Sequence, residues 1–417
     1  MLSPFFVNDK QLKLSRFPLA QVNRSLQAWD ASDEYALNYI KSEQLISATS
    51  RVLIFNDAFG ALATSFCTPL DLALPDNLSS DLPANLQDNL LDNSLDNKTE
   101  VYCINDSYIS SQGIAYNIGQ NQLNNSNITQ LNSLESLPTN IDVILFKIPK
   151  SKSLLIAQLI EIKKSIKKNS IDKNTVFIAA DRAKEIHRST LVLFEKHLGT
   201  TTTSLAVKKA RLVFCQFDQK QTHQSPFPTV WPLMNKTLHR DFVISNHANV
   251  YAREKLDIGA RYFIENLPDV AQNSQVIDLG CGNGVIGLTV LANQPTACIQ
   301  FVDESHMAIS SAQINIETNL PTLVTQCQFH LNDCLTNIAS NSVDLILCNP
   351  PFHQQTATTD HIAWQMFKDS HRVLKKGGEL RIIGNRQLAY HIKLKRIFGN
   401  EKLIASNDKF VTQSAIK

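Results

Sequence analysis

The 417-residue chain is predicted to be an α/β protein made of two tandem units of one architecture, the N-terminal one degenerate. Three observations predict this. An apolar strand, Val276–Leu279, runs into a glycine-rich turn and an apolar helix. The strands that follow end, in sequence order, at Asp303, near Asp333 and at Asn349. The same succession of apolar runs stands earlier in the chain, stripped of most of those glycines.

The first unit is assigned to residues 1–217. Its strands are read from apolar runs at Val52–Phe55, before Asn105, at Ile141–Ile148 and at Thr175–Ala180. Residues 69–100 interrupt it. Asp, Asn and Leu recur there, and Pro, Asn and Asp break helices, so a flexible surface loop without a function of its own is expected. A helix over residues 154–168 would put Lys163, Lys164, Lys167 and Lys168 on one face. Residues 218–245 hold Ser225-Pro226-Phe227-Pro228 and Trp231-Pro232, which fit an extended linker.

The second unit is assigned to residues 246–417. Lys255–Tyr262 is expected to be a helix preceding the first strand. That strand carries Asp278 and ends in Gly280, Gly282 and Gly284, before a helix over Val285–Ala292. Glycine lets backbone approach a ligand closely at a helix N-terminus. The second strand, Cys298–Val302, ends at Asp303, about 20 residues on, where a carboxylate can bind ribose hydroxyls. The third, Gln326–Leu331, ends near Asp333, a suitable acceptor for an adenine amino group. The fourth, Val343–Cys348, is stopped by Asn349-Pro350-Pro351-Phe352. There the Asn349 side-chain oxygen is one acceptor. The Pro350 carbonyl is another, held extended because Pro351 follows it. Phe352 offers a flat face. Two acceptors beside a ring suit the exocyclic amino group of a planar base or amide, the substrate half of an amino-group methyltransferase.

The two copies align through Val52–Leu62 with residues 276–286, Ile104–Ser107 with Val302–Ser305, Ile141–Pro149 with Val343–Pro351, and Thr175–Ala180 with Glu379–Gly384. In the first copy Asp278 becomes Ile54, Gly280 becomes Asn56, Gly282 becomes Ala58, Asn349 becomes Lys147 and Pro350 becomes Ile148. That copy is expected to keep its strands, to bind no cofactor and to serve substrate binding.

Charge supports that division. The net charge is only +2, but residues 147–211 hold 15 Lys/Arg against five Asp/Glu. Lys163, Lys164, Lys167, Lys168, Arg182, Arg188, Lys208, Lys209 and Arg211 are the candidate contacts to an RNA backbone. The eight cysteines occur singly, with no C-x-x-C pair, which argues against disulfides and zinc. Cys281 has no evident histidine partner and is expected to be a small buried residue, not a nucleophile. His353, His361 and His371 lack metal-ligand spacing, and no metal is expected. No apolar run reaches membrane-spanning length, and the N-terminus lacks the basic flank of a signal peptide, so a cytoplasmic protein is expected.

An intact glycine turn, acids at the next two strand ends and Asn-Pro-Pro-Phe at the fourth resemble the Rossmann-like S-adenosylmethionine-dependent methyltransferases. A degenerate copy before the intact one resembles, more narrowly, the bacterial ribosomal RNA guanine-N2 methyltransferases. Two sister groups share this duplication, acting on small- and large-subunit RNA. The large-subunit group is the more similar, through Leu26–Asp30, Leu53–Leu62, Gly199–Thr202, Asn246–Val250, Phe301–Ser305 and Cys348–Gln355. The resemblance implies methyl transfer from S-adenosylmethionine to N2 of one guanine in large-subunit ribosomal RNA, by a monomer. It implies catalytic roles for Asn349, Pro350 and Phe352. The cofactor would be held by Asp278, Gly280, Gly282, Gly284, Asp303, Asp333 and Asn349. The insert at 69–100 departs from the family pattern. Alternatives are methylation of small-subunit RNA, of adenine N6 in DNA or of a release-factor glutamine, and, in a different class, a non-catalytic RNA-binding or assembly factor.

Overall fold

The computed structural model describes residues 5–7, 10–19, 26–47, 49–67, 99–168, 170–218, 224–351 and 357–417. Phe352 and nearly all of the 69–100 insert lie outside the described residues. The chain divides into two units: Met1–Asn105 with Ser110–Gln224, and Asp106–Ile109 with Ser225–Lys417.

In the first unit β1 (Phe5–Val7) pairs with β2 (Lys10–Leu12), and α1 (Ala31–Ser42) leads to the main sheet. That sheet is made by β3 (Arg51–Phe55), β4 (Glu100–Asn105), β5 (Ile128–Asn132), β6 (Val143–Lys147), β7 (Val176–Arg182), β8 (Gly199–Thr203) and β9 (Ala210–Phe217). Between them lie α2 (Ala61–Phe66), α3 (Tyr108–Gln120), α4 (Lys152–Lys167) and α5 (Arg188–His197). The strand order is β5-β4-β3-β6-β7-β9-β8, parallel except where β9 joins β7 and β8. Successive residues of β3 face opposite sides. Leu53 and Phe55 enter one core with Phe146 and Phe177, while Val52 and Ile54 enter another with Ile114 and Leu145. Burial on both faces is why these strands are uniformly apolar.

The second unit opens with a hairpin, β10 (Thr229–Asn235) and β11 (Arg240–Asn246), then α6 (Ile258–Ile264). Its sheet comprises β12 (Gln275–Leu279), β13 (Cys298–Asp303), β14 (Cys327–Leu331), β15 (Val343–Cys348), β16 (Leu374–Asn385), β17 (Lys402–Ser406) and β18 (Phe410–Ile416). The helices are α7 (Val285–Asn293), α8 (His306–Asn319), α9 (Ala357–Val373) and α10 (Tyr390–Phe398). The order β14-β13-β12-β15-β16-β18-β17 repeats that of the first unit position for position. Registers agree as well. Phe55 pairs with Ile104 and Phe146, and Leu279 pairs with Val302 and Cys348, as the first three sequence matches require.

Three expectations need correction. Val143 pairs with Val176 while Leu345 pairs with Glu379, so Val176, not Thr175, corresponds to Glu379. The β15–β16 register is irregular between Val343 and Leu345, where the β6–β7 register is not. The expected linker is largely structured, since the β10–β11 hairpin occupies most of it and belongs to the second unit. Asn315 and Asn319 of α8 bind its backbone at Ser245 and Val243. The helix expected over Lys255–Tyr262 starts later, because Asp257 is its N-cap and accepts from Ala260 N at 3.1 Å.

Candidate active site

In the second sheet chain order reverses at β12, with β13 and β14 on one side and β15 on the other. A crevice at such a switch point, beyond the C-terminal strand ends, is where doubly wound sheets bind ligands. Gly280, Asp303, Asp333 and Asn349 all stand at or just past those ends. Adjacent strands lie about 4.8 Å apart, so the registers bring Gly280, Asp303 and Asn349 within a few strand spacings.

The turn is held open by its backbone. Gly280, Gly282 and Gly284 have φ of 70°, 54° and 75°, in the left-handed region. Gly280 N and Cys281 N both donate to the Val302 carbonyl, at 2.8 and 3.1 Å. A Cβ on Gly284 would meet Ala312 Cβ at 2.8 Å, so packing fixes that glycine. A Cβ on Gly282 would meet nothing within 4 Å. Gly282 is therefore glycine for its φ and for whatever approaches from the open side, not for the protein's own packing.

Carboxylates clamp the turn from two sides. Asp303 accepts from Gly282 N through one oxygen and from Ser305 N through the other, both at 3.0 Å. Asp278 is buried and accepts from Gly287 N at 2.8 Å, pinning the first turn of α7. Burial pushes the Asp278 carboxyl up to about 7, and it raises Asp303 and Asp333 above the usual carboxylate range. Asp333 receives Gln365 Nε2 at 3.2 Å on one oxygen.

Among the described residues, three acceptors of the predicted site are buried without a hydrogen-bond partner, Asp278 Oδ1, Asp333 Oδ1 and Asn349 Oδ1, as are Gln326 Oε1, Thr412 Oγ1 and Gln413 Oε1 of the same unit. An acceptor left so costs about 1–3 kcal/mol. Each of the three was singled out from sequence as a ligand contact. Pro350 is buried and Asn349 half-buried. S-adenosylmethionine fits this set, having ribose hydroxyls, an adenine amino group and an ammonium to donate, and an open face at Gly282 to lie against.

Several contributors were not read from the sequence as site residues. Asn246 is fully buried and accepts from Asn283 Nδ2 at 2.8 Å, while Asn315 Nδ2 donates to the Asn283 carbonyl at 2.9 Å. This ties the hairpin and α8 to the glycine turn. Gln365 supports Asp333 from α9. Cys281 is buried and its thiol is raised well above its ordinary value by burial, which makes it a poor nucleophile. Among the described residues no cluster of His, Cys, Asp and Glu is arranged to hold a metal ion, and no helix is long and apolar enough to cross a membrane.

In the first unit the equivalent turn has different chemistry. Asn56 takes the left-handed conformation of Gly280, at φ 61°. Ala63, matching Gly287, still donates its N–H to a carboxylate, but from Asp57 in the turn rather than from the strand. Lys147, matching Asn349, donates to Asp30, Ser32 and Asp33 at 3.2, 2.6 and 2.5 Å.

The basic cluster is not one face. Lys163 is buried, and its ammonium donates to the carbonyls of Leu198 and Asp218 and to the Asp218 carboxylate. It is a structural ion pair, removed from the RNA-facing set because it lies one turn inside the end of α4, against the body of the unit. Lys164 pairs with Glu161 and Lys208 with Glu34. Arg211 is half-buried. Lys167, Lys168, Arg182, Arg188 and Lys209 are exposed.

The family model of the methyltransferase small domain matches residues 241–413, and that of the RLMG N-terminal domain matches 3–102 and 90–219. The chain is 70% identical to the Ribosomal RNA large subunit methyltransferase G of Colwellia psychrerythraea, with all of both chains covered. It is 46% identical to the protein of that name from Pseudoalteromonas translucida, over 99% of this chain and 97% of that one. Among solved structures it is similar to a T. thermophilus 16S rRNA N2 methyltransferase in complex with AdoMet and guanosine. That match has a TM-score of 0.69 at 16% identity and covers 100% and 98% of the two chains, a likeness of fold.

Proposed function

Since the chain belongs to the ribosomal RNA large subunit methyltransferase G family, we propose that its second unit methylates the N2 amino group of one guanine in large-subunit ribosomal RNA. The observation that carries the chemistry is the buried, unpartnered Oδ1 of Asn349 at the end of β15. A guanine amino group is a poor nucleophile because its lone pair is delocalised into the ring. Asn349 Oδ1 and the Pro350 carbonyl accept its two hydrogens and favour a pyramidal nitrogen with a localised pair. S-adenosylmethionine supplies the electrophilic methyl on a sulfonium. The C–N bond forms as the S–C bond breaks, and the nitrogen then sheds a proton to water. No side-chain base is required, so the residues work mainly by positioning. Phe352 stacks on the base, worth about 1–3 kcal/mol.

Asp303 keeps a free lone pair on each oxygen after its two backbone bonds and holds the ribose hydroxyls. Asp333 Oδ1 takes the adenine amino group, and Asp278 Oδ1 the remaining donor. Gly280, Gly282 and Gly284 give the backbone its approach. The first unit grips RNA through the exposed Lys167, Lys168, Arg182, Arg188 and Lys209, with Lys164, Lys208 and Arg211 beside them. The same reading has the enzyme act in the cytoplasm, as a monomer and without a metal. Large-subunit RNA incubated with the chain and labelled cofactor, then digested to nucleosides, should yield N2-methylguanosine. Label in any other nucleoside, or none, would overturn the assignment.

A further inference from the structure

The first unit carries a cavity of about 640 Å³ bounded by the ends of β3, β6 and β7 and the start of α1. It stands where the second unit has its glycine turn and Asn349, and its size suits a ligand of nucleotide dimensions. Its chemistry has changed: cations now stand among the carboxylates. The two carboxylates of the second unit's turn, Asp278 and Asp303, correspond here to Ile54 and Asn105. Lys147 is neutralised by Asp30 and Asp33. Asp57 is occupied by the N–H groups of Gly60, Ala61 and Ala63, at 3.0, 3.1 and 2.9 Å.

Two guanidinium groups, Arg16 and Arg182, also line the cavity; Arg182 is attracted to the adjoining Asp181 carboxylate, and among the described residues Arg16 forms no ion pair. Arg16 lies over the Phe59 ring, its Cζ 4.9 Å from the centroid, which orients the flat guanidinium. Burial lowers the Arg16 pKa, and a desolvated cation gains from an anionic ligand. Asp30 is engaged as well: its Oδ1 takes Ser32 N, Ser32 Oγ and Lys147, and its side chain also accepts from the Asp33 N–H in the capping box of α1. Leu26, Ala28 and Trp29 supply an apolar wall. Arginine and phosphate are matched in geometry and charge.

We propose that this cavity is a second nucleotide site, which holds one nucleotide of the RNA strand away from the reacting guanine. Arg16 and Arg182 clasp its phosphate, and the apolar wall takes the base. The proposal rests on the reading that the substrate is RNA. It makes the degenerate unit a specific reader of the strand and not only a charged surface.

Large-subunit RNA carrying 4-thiouridine is irradiated with the full chain, and the crosslinked peptides are mapped. Crosslinks are expected in residues 26–31 and 57–59. The double variant Arg16→Gln with Arg182→Gln should raise the KM for RNA at least tenfold. It should lower the salt slope of binding by about 0.7–0.9, from one lost phosphate contact, and leave S-adenosylmethionine affinity unchanged. Arg182→Glu alone, at an exposed position, should show a smaller effect of the same sign. A wild-type chain that methylates RNA while both variants keep its KM and slope overturns the site alone. A wild-type chain that labels no RNA overturns the substrate reading and this site with it.

Discussion

Asn349→Ala should separate activity from stability. Asn349 Oδ1 is buried and makes no hydrogen bond among the described residues, so its truncation removes an acceptor that costs about 1–3 kcal/mol to desolvate. The packing lost with a half-buried amide offsets that gain, leaving unfolding free energy within about 1 kcal/mol of the wild type. The rate should respond very differently. One of two acceptors that localise the nitrogen lone pair is gone in the transition state, a loss of about 2–3 kcal/mol. At about 1.4 kcal/mol per decade this is roughly a 30- to 160-fold fall in single-turnover methyl transfer. Cofactor affinity should move by less than threefold. Urea denaturation, calorimetric titration with S-adenosylmethionine and rapid-quench transfer would be read on one preparation. A rate within threefold of wild type would refute the amino-group mechanism. A loss of several kcal/mol of stability in step with the rate would show that Asn349 is structural.

Gly282→Val should lower cofactor affinity at least tenfold by calorimetry, because a branched side chain at φ 54° strains the turn and stands on its open side, while Ala58→Val at the matching position leaves that affinity alone. Lys163→Ala should cost about 2–3 kcal/mol in urea denaturation by removing the buried ammonium from the Leu198 and Asp218 carbonyls and the Asp218 carboxylate, whereas Lys167→Ala with Lys168→Ala should cost less than about 0.5 kcal/mol and weaken RNA binding in a filter assay. Asp278, pushed up to about 7 by burial, contributes stability that is complete below its unfolded pKa of about 4 and is lost as pH rises through about 7. The stability of the cofactor-free chain should therefore fall between those values, and Asp278→Asn should flatten part of the fall, with Asp303 and Asp333 keeping the rest because burial raises them too.

The repeat was legible because parallel strands buried on both faces must be apolar throughout, and a run such as Val343–Cys348 ends sharply where two prolines follow. The glycine turn was legible because three left-handed residues in five positions leave little choice but glycine. Matching Gly280 with Asn56 survives as shared backbone geometry, since asparagine is the residue that best tolerates that region after glycine. The hairpin at 229–246 was hidden by Pro232. In a two-stranded ribbon both strands are edges, and a proline there need not break the ladder. The Asn246–Asn283–Asn315 network left no trace because its members meet only through the fold. Lys163 was misjudged because helical periodicity tells which residues share a side but not where the neighbouring chain covers it. Asp218, 55 residues on, supplies the counter-charge.

The central claim is that a single intact unit methylates guanine N2 in large-subunit RNA while its degenerate partner unit recognises the strand. Label transfer from S-adenosylmethionine to purified large-subunit and small-subunit ribosomal RNA, side by side at equal concentration, tests it most directly. The account predicts about one methyl per large-subunit RNA, all recovered as N2-methylguanosine at one position, and background in the small-subunit RNA. Equal or preferential labelling of the small-subunit RNA would contradict it.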